Sequence, residues 1–207
     1  AFCPWLDGLV ADSQLAAAAA GAATALPPER LTAIPGPVRP PLRTTQVGPV
    51  GACLRLGYAG RLDNLQKRIL DLPEVLARIA SVVPFTCELA GAGPAEADLK
   101  TRLAKLELTE RVASHGWLGC EALYQSFYPQ LDVLLHFAAW EGNPIAPREA
   151  MAHGVVPVSA RFLGLAREGA LRDGETALVF GVGDTAAAAA CIRRLHEDRG
   201  LLQSLSQ

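Results

Sequence analysis

Short apolar runs alternate with amphipathic runs of helical length along the chain from residue 52 onward. One of them, "LDVLLHF", is almost uninterrupted, as in a strand that is covered on both faces. Strands that alternate with helices predict an α/β fold, in which a parallel sheet is doubly wound by helices on both sides. The predicted strands are residues 52–60, 85–93, 111–119, 131–137, 155–160 and 176–181, and the predicted helices are residues 66–81, 94–108, 120–130, 147–154 and 184–205.

An alanine-rich stretch precedes this regular part of the chain. Residues 6–13, "LDGLVADS", predict a short strand that ends at Ser13, which would cap a helix running up to the first prolines. Residues 27–51 contain seven of the chain's 15 prolines, and proline fixes φ and prevents regular pairing. We therefore predict a stiff connector over 27–51, which separates residues 1–26 from a domain over 52–207.

The amino-acid composition limits the kinds of partner and the compartment that we expect for this protein. The chain has 207 residues, of which 50% are hydrophobic, so it can bury the core of one full α/β domain. Its formal net charge is -2 and it has no basic tract, which argues against a nucleic-acid partner. Five widely spaced cysteines without a Cys-x-x-Cys pattern indicate core residues in a reducing compartment. No apolar run reaches membrane-spanning length, so we expect a cytoplasmic protein, with peripheral association at the inner face of the membrane left open.

The turn after the first strand of this domain, "GRLDNLQKR", carries two cations, Arg61 and Lys67. An isolated Arg or Lys is most often a solvated surface charge. Ligands of doubly wound sheets, however, bind at the carboxyl ends of the strands, where a guanidinium and an ammonium group suit a diphosphate.

The turn "AGAGPAE" begins like a dinucleotide-binding loop, with Gly91 and Gly93. Glu96 occupies the place of the third glycine, so the Gly-x-Gly-x-x-Gly pattern fails. We expect the glycines to permit a tight turn before a helix that starts at Pro94. A nicotinamide-dependent dehydrogenase is therefore disfavoured.

The turn after the buried strand, "EGNPIAPREAMAHG", places Glu141 and Glu149 eight positions apart around a predicted helix start. Such a pair alone is weak evidence, since it occurs by chance on many surfaces. Here Gly142 allows close approach of the backbone, and Pro147 is tolerated in the first turn of a helix whose free N–H groups can bind phosphate oxygens. Each carboxylate can accept hydrogen bonds from vicinal hydroxyls. A diphosphate flanked by two hydroxylated groups describes a nucleotide-sugar.

The segments "GYAGRL", "QKR", "ELAGAGP", "VASHGWLG", "DVLLHFAAWEGNPIAPREAMAHGVVPVSA" and "LRDGETALVF" together resemble the group 1 family of retaining glycosyltransferases. These enzymes have the two-domain GT-B fold. The resemblance covers residues 52–205, and the Glu-x7-Glu spacing is its most specific feature. It implies that 52–207 is a Rossmann-like, C-terminal nucleotide-sugar-binding domain. It further implies that 1–26 is a remnant of an N-terminal acceptor domain and that 27–51 is the linker.

The resemblance also implies roles for individual residues. Arg61 and Lys67 would hold the donor diphosphate and stabilise the leaving nucleoside diphosphate, while Glu149 would bind the ribose. Glu141 would face the donor sugar near its anomeric carbon. Backbone N–H groups of Gly142, Asn143, Ile145 and Ala146 would contact sugar and phosphate, and Gly116, Trp117 and Leu118 would lie against the base.

Two residues depart from the family pattern, and several others have ordinary explanations. Arg148 replaces an apolar residue before the second glutamate, which leaves the packing of the helix open, and Asn143 stands where an aromatic or small residue is common. Trp117 and Trp140 are each open between a role in the pocket and packing. The four histidines, His115, His136, His153 and His196, form no metal-like spacing.

The expected function is transfer of a sugar from a nucleoside diphosphate sugar to an acceptor hydroxyl, with retention at the anomeric carbon. The resemblance implies no metal or other cofactor. A glycan or lipid-linked acceptor would be held by the N-terminal domain, so the 207 residues alone are expected to be inactive. Two alternatives stay open: a nucleotide-sugar epimerase of the same architecture and a non-catalytic nucleotide-sugar-binding module.

Overall fold

A computed structural model describes residues 6–24, 26–49 and 51–207. Residues 1–5 and Ala25 of the predicted N-terminal segment, and Val50 of the predicted connector, lie outside the described residues. The strands are β1 Leu9–Ala11, β2 Leu31–Ala33, β3 Leu54–Ala59, β4 Phe85–Ala90, β5 Val112–Ser114, β6 Val133–His136, β7 Val156–Ala160 and β8 Leu178–Phe180. The α-helices are α1 Gln14–Thr24, α2 Leu72–Ile79, α3 Glu96–Lys105, α4 Cys120–Ala122, α5 Ile145–Ala152, α6 Leu165–Glu168, α7 Thr185–Glu197 and α8 Arg199–Leu205.

Six strands form one parallel sheet in the order β5-β4-β3-β6-β7-β8, which confirms the predicted doubly wound α/β fold. Alternating residues of each strand point to opposite faces. On β3, Leu56 and Tyr58 join the larger core, whereas a side chain on Gly57 would collide with Leu131 of the core on the other face. The larger core contains residues of α2, α3, α7 and α8, and the smaller one is built around Tyr128 and Leu134.

The first helix of the domain starts later than predicted. The carboxylate of Asp63 accepts hydrogen bonds from the backbone N–H groups of Gln66 and Lys67, and Arg68 adopts the left-handed conformation with φ 49°. These features hold residues 63–68 in a turn, so a 3₁₀ turn begins at Ile69 and the α-helix at Leu72. The turn displays Arg61 and Lys67 at the carboxyl edge of the sheet.

Three other predicted elements are shorter or divided. The strand over 111–119 ends at Ser114, because Gly116 takes a positive φ of 64° and turns the chain. The helix over 120–130 consists of one α-helical turn, a π-helical turn and a 3₁₀ turn. The closing helix over 184–205 breaks at Asp198. The side chain of Asp198 accepts a hydrogen bond from the backbone N–H of Leu201 and caps a new helix. Pro94 lies before α3, which starts at Glu96.

The proline-rich segment is not free of regular pairing, which corrects one expectation. Leu31–Ala33 lies between the prolines and pairs in parallel with Leu9–Ala11, forming a separate two-stranded sheet. The assignment of 1–26 and 27–51 to a domain remnant and a linker stays a prediction. The expectation that cysteines are core residues holds for Cys87 alone among the described ones. Cys53 and Cys120 are exposed, Cys191 is half-buried, and Cys3 lies outside the described residues.

Candidate functional site

The candidate site lies between β3 and β6, the two central strands of the sheet. The chain runs outward from β3 to one edge and, after a crossover, from β6 to the other edge. Loops that follow such a pair of strands diverge and leave a crevice at their carboxyl ends. The loop after β3 carries Arg61 and Lys67, and the loop after β6 carries Glu141.

Two adjoining cavities form this crevice. The Lys67 cavity, of about 260 Å³, contains Lys67, His136 and Glu141 in its lining. The Glu149 cavity, of about 420 Å³, contains Trp117 and Glu149. We call the two together the cleft. Residues in the linings of both are Ala59, Gly60, Ile145 and Ala146.

A chain of polar side chains runs along the rim of the Lys67 cavity. Arg61 donates from Nε to Asp63 Oδ2 (2.7 Å) and from Nη2 to Gln66 Oε1 (3.0 Å). Gln66 Nε2 donates to the carbonyl oxygen of Trp140 (3.0 Å) and to Glu141 Oε2 (3.4 Å). Burial works to raise the pKa of Asp63, but hydrogen bonds from the Gln66 backbone and the Arg61 guanidinium outweigh it and hold that pKa below its ordinary value. The Arg61 side chain is 58% exposed, so it can reorient toward a ligand.

Glu141 is buried at the end of this chain and pairs with Lys67. Lys67 Nζ donates to Glu141 Oε1, and His136 Nε2 lies 3.6 Å from the same oxygen. Burial works to raise the pKa of Glu141, yet its polar neighbours, which include the Lys67 ammonium group, hold it below its ordinary value. The carboxylate is therefore charged in the protein and depends on a cation beside it.

Glu149 lies at the other end of the cleft with a neutral partner. The hydroxyl of Tyr128 donates to Glu149 Oε2 (2.8 Å). Burial, followed by the nearby Glu149 charge, raises the pKa of Tyr128, so the phenol stays protonated and acts as the donor. The Tyr128 bond leaves further lone pairs on the carboxylate, so Glu149 can still accept hydrogen bonds from a ligand in the cavity.

The start of α5 lies between the two carboxylates. Its N-cap, Pro144, makes no side-chain hydrogen bond to the first turn, and Ile145 and Ala146 line both cavities. Backbone N–H groups at such a start favour anions. At Gly142 the close neighbour in the structure is Ser13, since a Cβ on Gly142 would lie 2.7 Å from Ser13 Oγ, and close approach of a ligand there stays a prediction.

The 116–118 loop forms one wall of the Glu149 cavity. The Gly116 carbonyl accepts the backbone N–H of Gly91 (2.7 Å), which anchors the loop to the turn after β4. Trp117 is 76% exposed at the cavity, so it is not a packing residue, whereas Leu118 packs partly against the smaller core. Gly91 itself packs against the loop after β3, since a Cβ there would lie 1.9 Å from the Gly60 carbonyl oxygen. Gly91 and Gly93 thus serve close loop packing.

Two residues that the sequence left open have clear partners. Arg148 donates to Asn143 Oδ1 (2.7 Å) and to the Gly36 carbonyl oxygen (3.0 Å), tying α5 to the proline-rich segment. His153 is fully buried, with ring nitrogens 2.7 Å and 3.2 Å from the backbone oxygens of Glu149 and Tyr124. Among the residues that the structure describes, no group of three His, Cys, Asp or Glu side chains is arranged to hold a metal ion.

Sequence reasoning missed Tyr128 and His136, which line the cleft, and Asp63 and Gln66, which lie in the loop beside it. The spacing of Asp63 before Gln66 and Lys67 is a usable signal, because an Asp that precedes a helix can hold backbone N–H groups three and four residues later. His136 stands in a nearly continuous apolar strand, where a lone polar residue also marks a position that needs a partner.

Comparisons with known proteins identify the family and the fold. A model of the family described as "Glycosyl transferases group 1" matches residues 53–198. The search of curated proteins returned no match. Among solved structures, the Anabaena protein HepE in complex with UDP and glucose is 21% identical, with a TM-score of 0.80, 99% of this chain covered and 57% of that one.

Two further solved structures have the same fold. The lipopolysaccharide outer core galactosyltransferase WaaB is 20% identical, with a TM-score of 0.77, and the match covers 98% of this chain and 57% of that chain. The S. aureus protein TarM, in a complex that includes UDP, is 13% identical, with a TM-score of 0.79. That match covers 99% of this chain and 40% of the TarM chain. The six-stranded sheet is thus that of the C-terminal domains of GT-B proteins, and the chain spans about half the length of these structures. No described helix is long and apolar enough to cross a membrane.

Proposed function

The chain belongs to the group 1 glycosyltransferases, and we propose that its cleft binds a nucleoside diphosphate sugar as the donor for transfer, with retention, to an acceptor hydroxyl. The observation that carries the proposal is the order of groups along one cleft. A cationic end at Lys67, with Arg61 linked to it through Gln66, is followed by the helix start at Ile145 and then by a carboxylate, Glu149, that can accept further hydrogen bonds.

This order matches the parts of a nucleotide-sugar. The diphosphate would lie over the start of α5, within reach of Lys67 and Arg61. The ribose hydroxyls would donate to Glu149 Oε1, and the base would contact the 116–118 loop. UDP is bound in the solved structures of HepE and TarM, which have this fold, and this supports a nucleotide ligand for the cleft.

Catalysis in this proposal rests on stabilising the leaving group. Breaking the bond between the sugar and the diphosphate develops negative charge on the phosphate oxygens, and preorganised cations lower that barrier. Lys67 would supply positive charge once its ammonium group moves from Glu141 to the diphosphate. Arg61 would do the same once its guanidinium group leaves Asp63. Glu141 would then face the sugar from the inner end of the Lys67 cavity.

The acceptor belongs to the same proposal. Transfer requires the acceptor hydroxyl to be held against the anomeric carbon in near-attack geometry. We propose that a glycan or lipid-linked acceptor is positioned by parts of the protein other than the cleft wall formed by β3, β6 and α5. Closure over the cleft would also exclude water and strengthen the contacts of Lys67 and Arg61.

Calorimetric titration with UDP, GDP and ADP tests the proposal. We expect selective binding of one diphosphate, weakened about tenfold or more by Arg61→Ala or Lys67→Ala, because each variant removes a charge-assisted hydrogen bond. Arg172→Ala is the matched control, since Arg172 pairs with Glu175 on the surface outside the cleft. Unchanged affinity in both the Arg61 and Lys67 variants would contradict the diphosphate assignment.

A further inference from the structure

His136 is a buried titratable group that the proposed mechanism does not use. Its side chain is 7% exposed and contributes to the lining of the Lys67 cavity. Its Nε2 is one of the buried side-chain atoms that have no hydrogen-bond partner within the described residues. An unpaired polar atom in a buried position costs free energy and calls for an explanation.

The hydrogen bonds of Ser159 favour one tautomer of His136. The Ser159 hydroxyl donates to the carbonyl oxygen of Ala160 (3.0 Å), so its own oxygen is left to accept from His136 Nδ1 (2.9 Å). The neutral ring therefore carries its proton on Nδ1 and presents a lone pair at Nε2. That lone pair faces Glu141 Oε1 at 3.6 Å, where two acceptors cannot form a hydrogen bond.

Burial, together with the charge of Lys67, keeps His136 neutral in the free protein. Burial, in the first place, and the Lys67 charge both lower the pKa of His136, whereas Glu141 raises it. Lys67 donates to Glu141 Oε1, the same oxygen that His136 Nε2 faces. The other elements around the ring contribute Ser159 and the edge of the Phe162 ring, whose centroid lies 5.4 Å away, and neither adds a charge.

Donor binding changes this balance, because one cation cannot serve Glu141 and a diphosphate equally. We propose that His136 is a positioning residue: when the donor diphosphate draws Lys67 away from Glu141, His136 takes a proton from solvent at Nε2 and holds Glu141 in place. This inference rests on the proposed function. The new N–H of the imidazolium donates to Glu141 Oε1, so the carboxylate keeps a charged partner and its orientation toward the sugar while Lys67 serves the leaving group.

Proton uptake makes donor binding dependent on pH with a definite sign. Affinity falls as the pH rises from the pKa of His136 in the free protein to its higher pKa in the complex. In that window the Kd increases by up to about tenfold per pH unit, because one proton binds with each donor. A structural role for His136 without proton uptake gives no such slope.

Calorimetry in two buffers of different ionisation enthalpy, at several pH values, measures this uptake. The probe is the tightest binder among UDP-glucose, GDP-mannose and ADP-glucose, since the diphosphate of a nucleotide-sugar has no proton to gain near neutral pH. We expect the wild-type chain to take up close to one proton per donor within the window. His136→Gln, which offers an amide N–H without titrating, should abolish the uptake, and His115→Gln should leave it unchanged.

Each outcome decides a separate point. Donor binding without proton uptake at any pH would overturn the role of His136 and leave the proposed function intact. Uptake that persists in His136→Gln, or that disappears in His115→Gln, would also overturn it. No binding of any of the three nucleotide-sugars would contradict the proposed function, and this inference with it. Because the wild-type measurement needs no variant, it decides the question even if His136→Gln does not fold.

Discussion

Glu141 and Glu149 lie at the two ends of one cleft, and their partners differ in charge. Glu141 is paired with the Lys67 ammonium group, close to the ring of His136. Glu149 accepts a hydrogen bond from the neutral phenol of Tyr128. A carboxylate that shares a cation with an incoming diphosphate must rearrange when that ligand binds. A carboxylate held by a neutral donor is already oriented and can accept further hydrogen bonds through its remaining lone pairs.

The comparison suggests that two identical side chains eight residues apart acquire different tasks from their surroundings. The Lys67 end of the cleft depends on charge and should respond to pH, and the Glu149 end should not. Both ends are built on the same backbone frame, formed by the loops after β3 and β4 and the start of α5.

The largest effect is expected from damage to that shared frame. Gly91→Ala would place a Cβ 1.9 Å from the Gly60 carbonyl oxygen, and Gly60 lines both cavities. We expect a loss of about 2 to 4 kcal/mol in the free energy of unfolding, measured in urea, and loss of ligand binding at both ends together. Gly174→Ala is the control, because Gly174 also has a positive φ but nothing lies within 4 Å of the added Cβ. Equal losses in the two variants would show that the packing of Gly91 against Gly60 is unimportant.

A smaller effect should distinguish the charged end. Asp63→Asn keeps an acceptor but removes the charge that binds Arg61 and the N–H groups of Gln66 and Lys67, so we expect a loss of about 1 to 2 kcal/mol in stability at neutral pH. The pKa of Asp63 is lowered in the folded protein. Its contribution is therefore fully present above its unfolded pKa of about 3.9 and disappears as the pH falls through the lower folded pKa. Urea unfolding of both proteins from acid to neutral pH measures this. A difference that is independent of pH would contradict the assignment.

The smallest effect concerns the neutral end. Tyr128→Phe removes one hydrogen bond from a neutral donor to Glu149, so we expect UDP to bind about fivefold more weakly, equivalent to about 1 kcal/mol. Binding of 2′-deoxy-UDP should change less, because that ligand lacks one of the two ribose hydroxyls that Glu149 would bind. Calorimetry with the two nucleotides carries its own control for any general disturbance of the cavity. An equal loss for both would mean that Tyr128 does not orient Glu149 toward the ribose.

The fold and part of the cleft could be predicted from local pattern. Buried parallel strands such as 131–137 are recognisable as apolar runs, and the Glu-x7-Glu spacing at a helix start pointed to the residues now found at the two ends. Breaks that arise from single side chains were harder. The closing helix is divided because the Asp198 side chain caps the helix that follows it. The late start of α2 depends on Asp63 and on the left-handed conformation of Arg68.

Residues whose importance depends on distant partners could not be predicted in this way. Tyr128 meets Glu149 across 21 positions, and His136 meets Ser159 across 23. Gln66 links a turn after β3 to Glu141, 75 positions later. The pairing of Leu31–Ala33 was missed because prolines surround it, although the three residues themselves contain none. Such contacts are properties of the packed sheet and have no periodic signal.

Calorimetry of Glu141→Gln and Glu149→Gln, with UDP and with pyrophosphate as ligands, tests the division of tasks between the two glutamates. Glu149→Gln should weaken UDP by about tenfold and pyrophosphate far less, because it removes a charged acceptor for the ribose. Glu141→Gln should leave the affinity for both ligands within about threefold of the wild-type value. Any affinity that is lost with the Glu141 charge is offset because Lys67, freed from its ion pair, can bind the diphosphate. Loss of diphosphate binding in Glu141→Gln, or an equal loss of UDP and pyrophosphate in Glu149→Gln, would contradict the account.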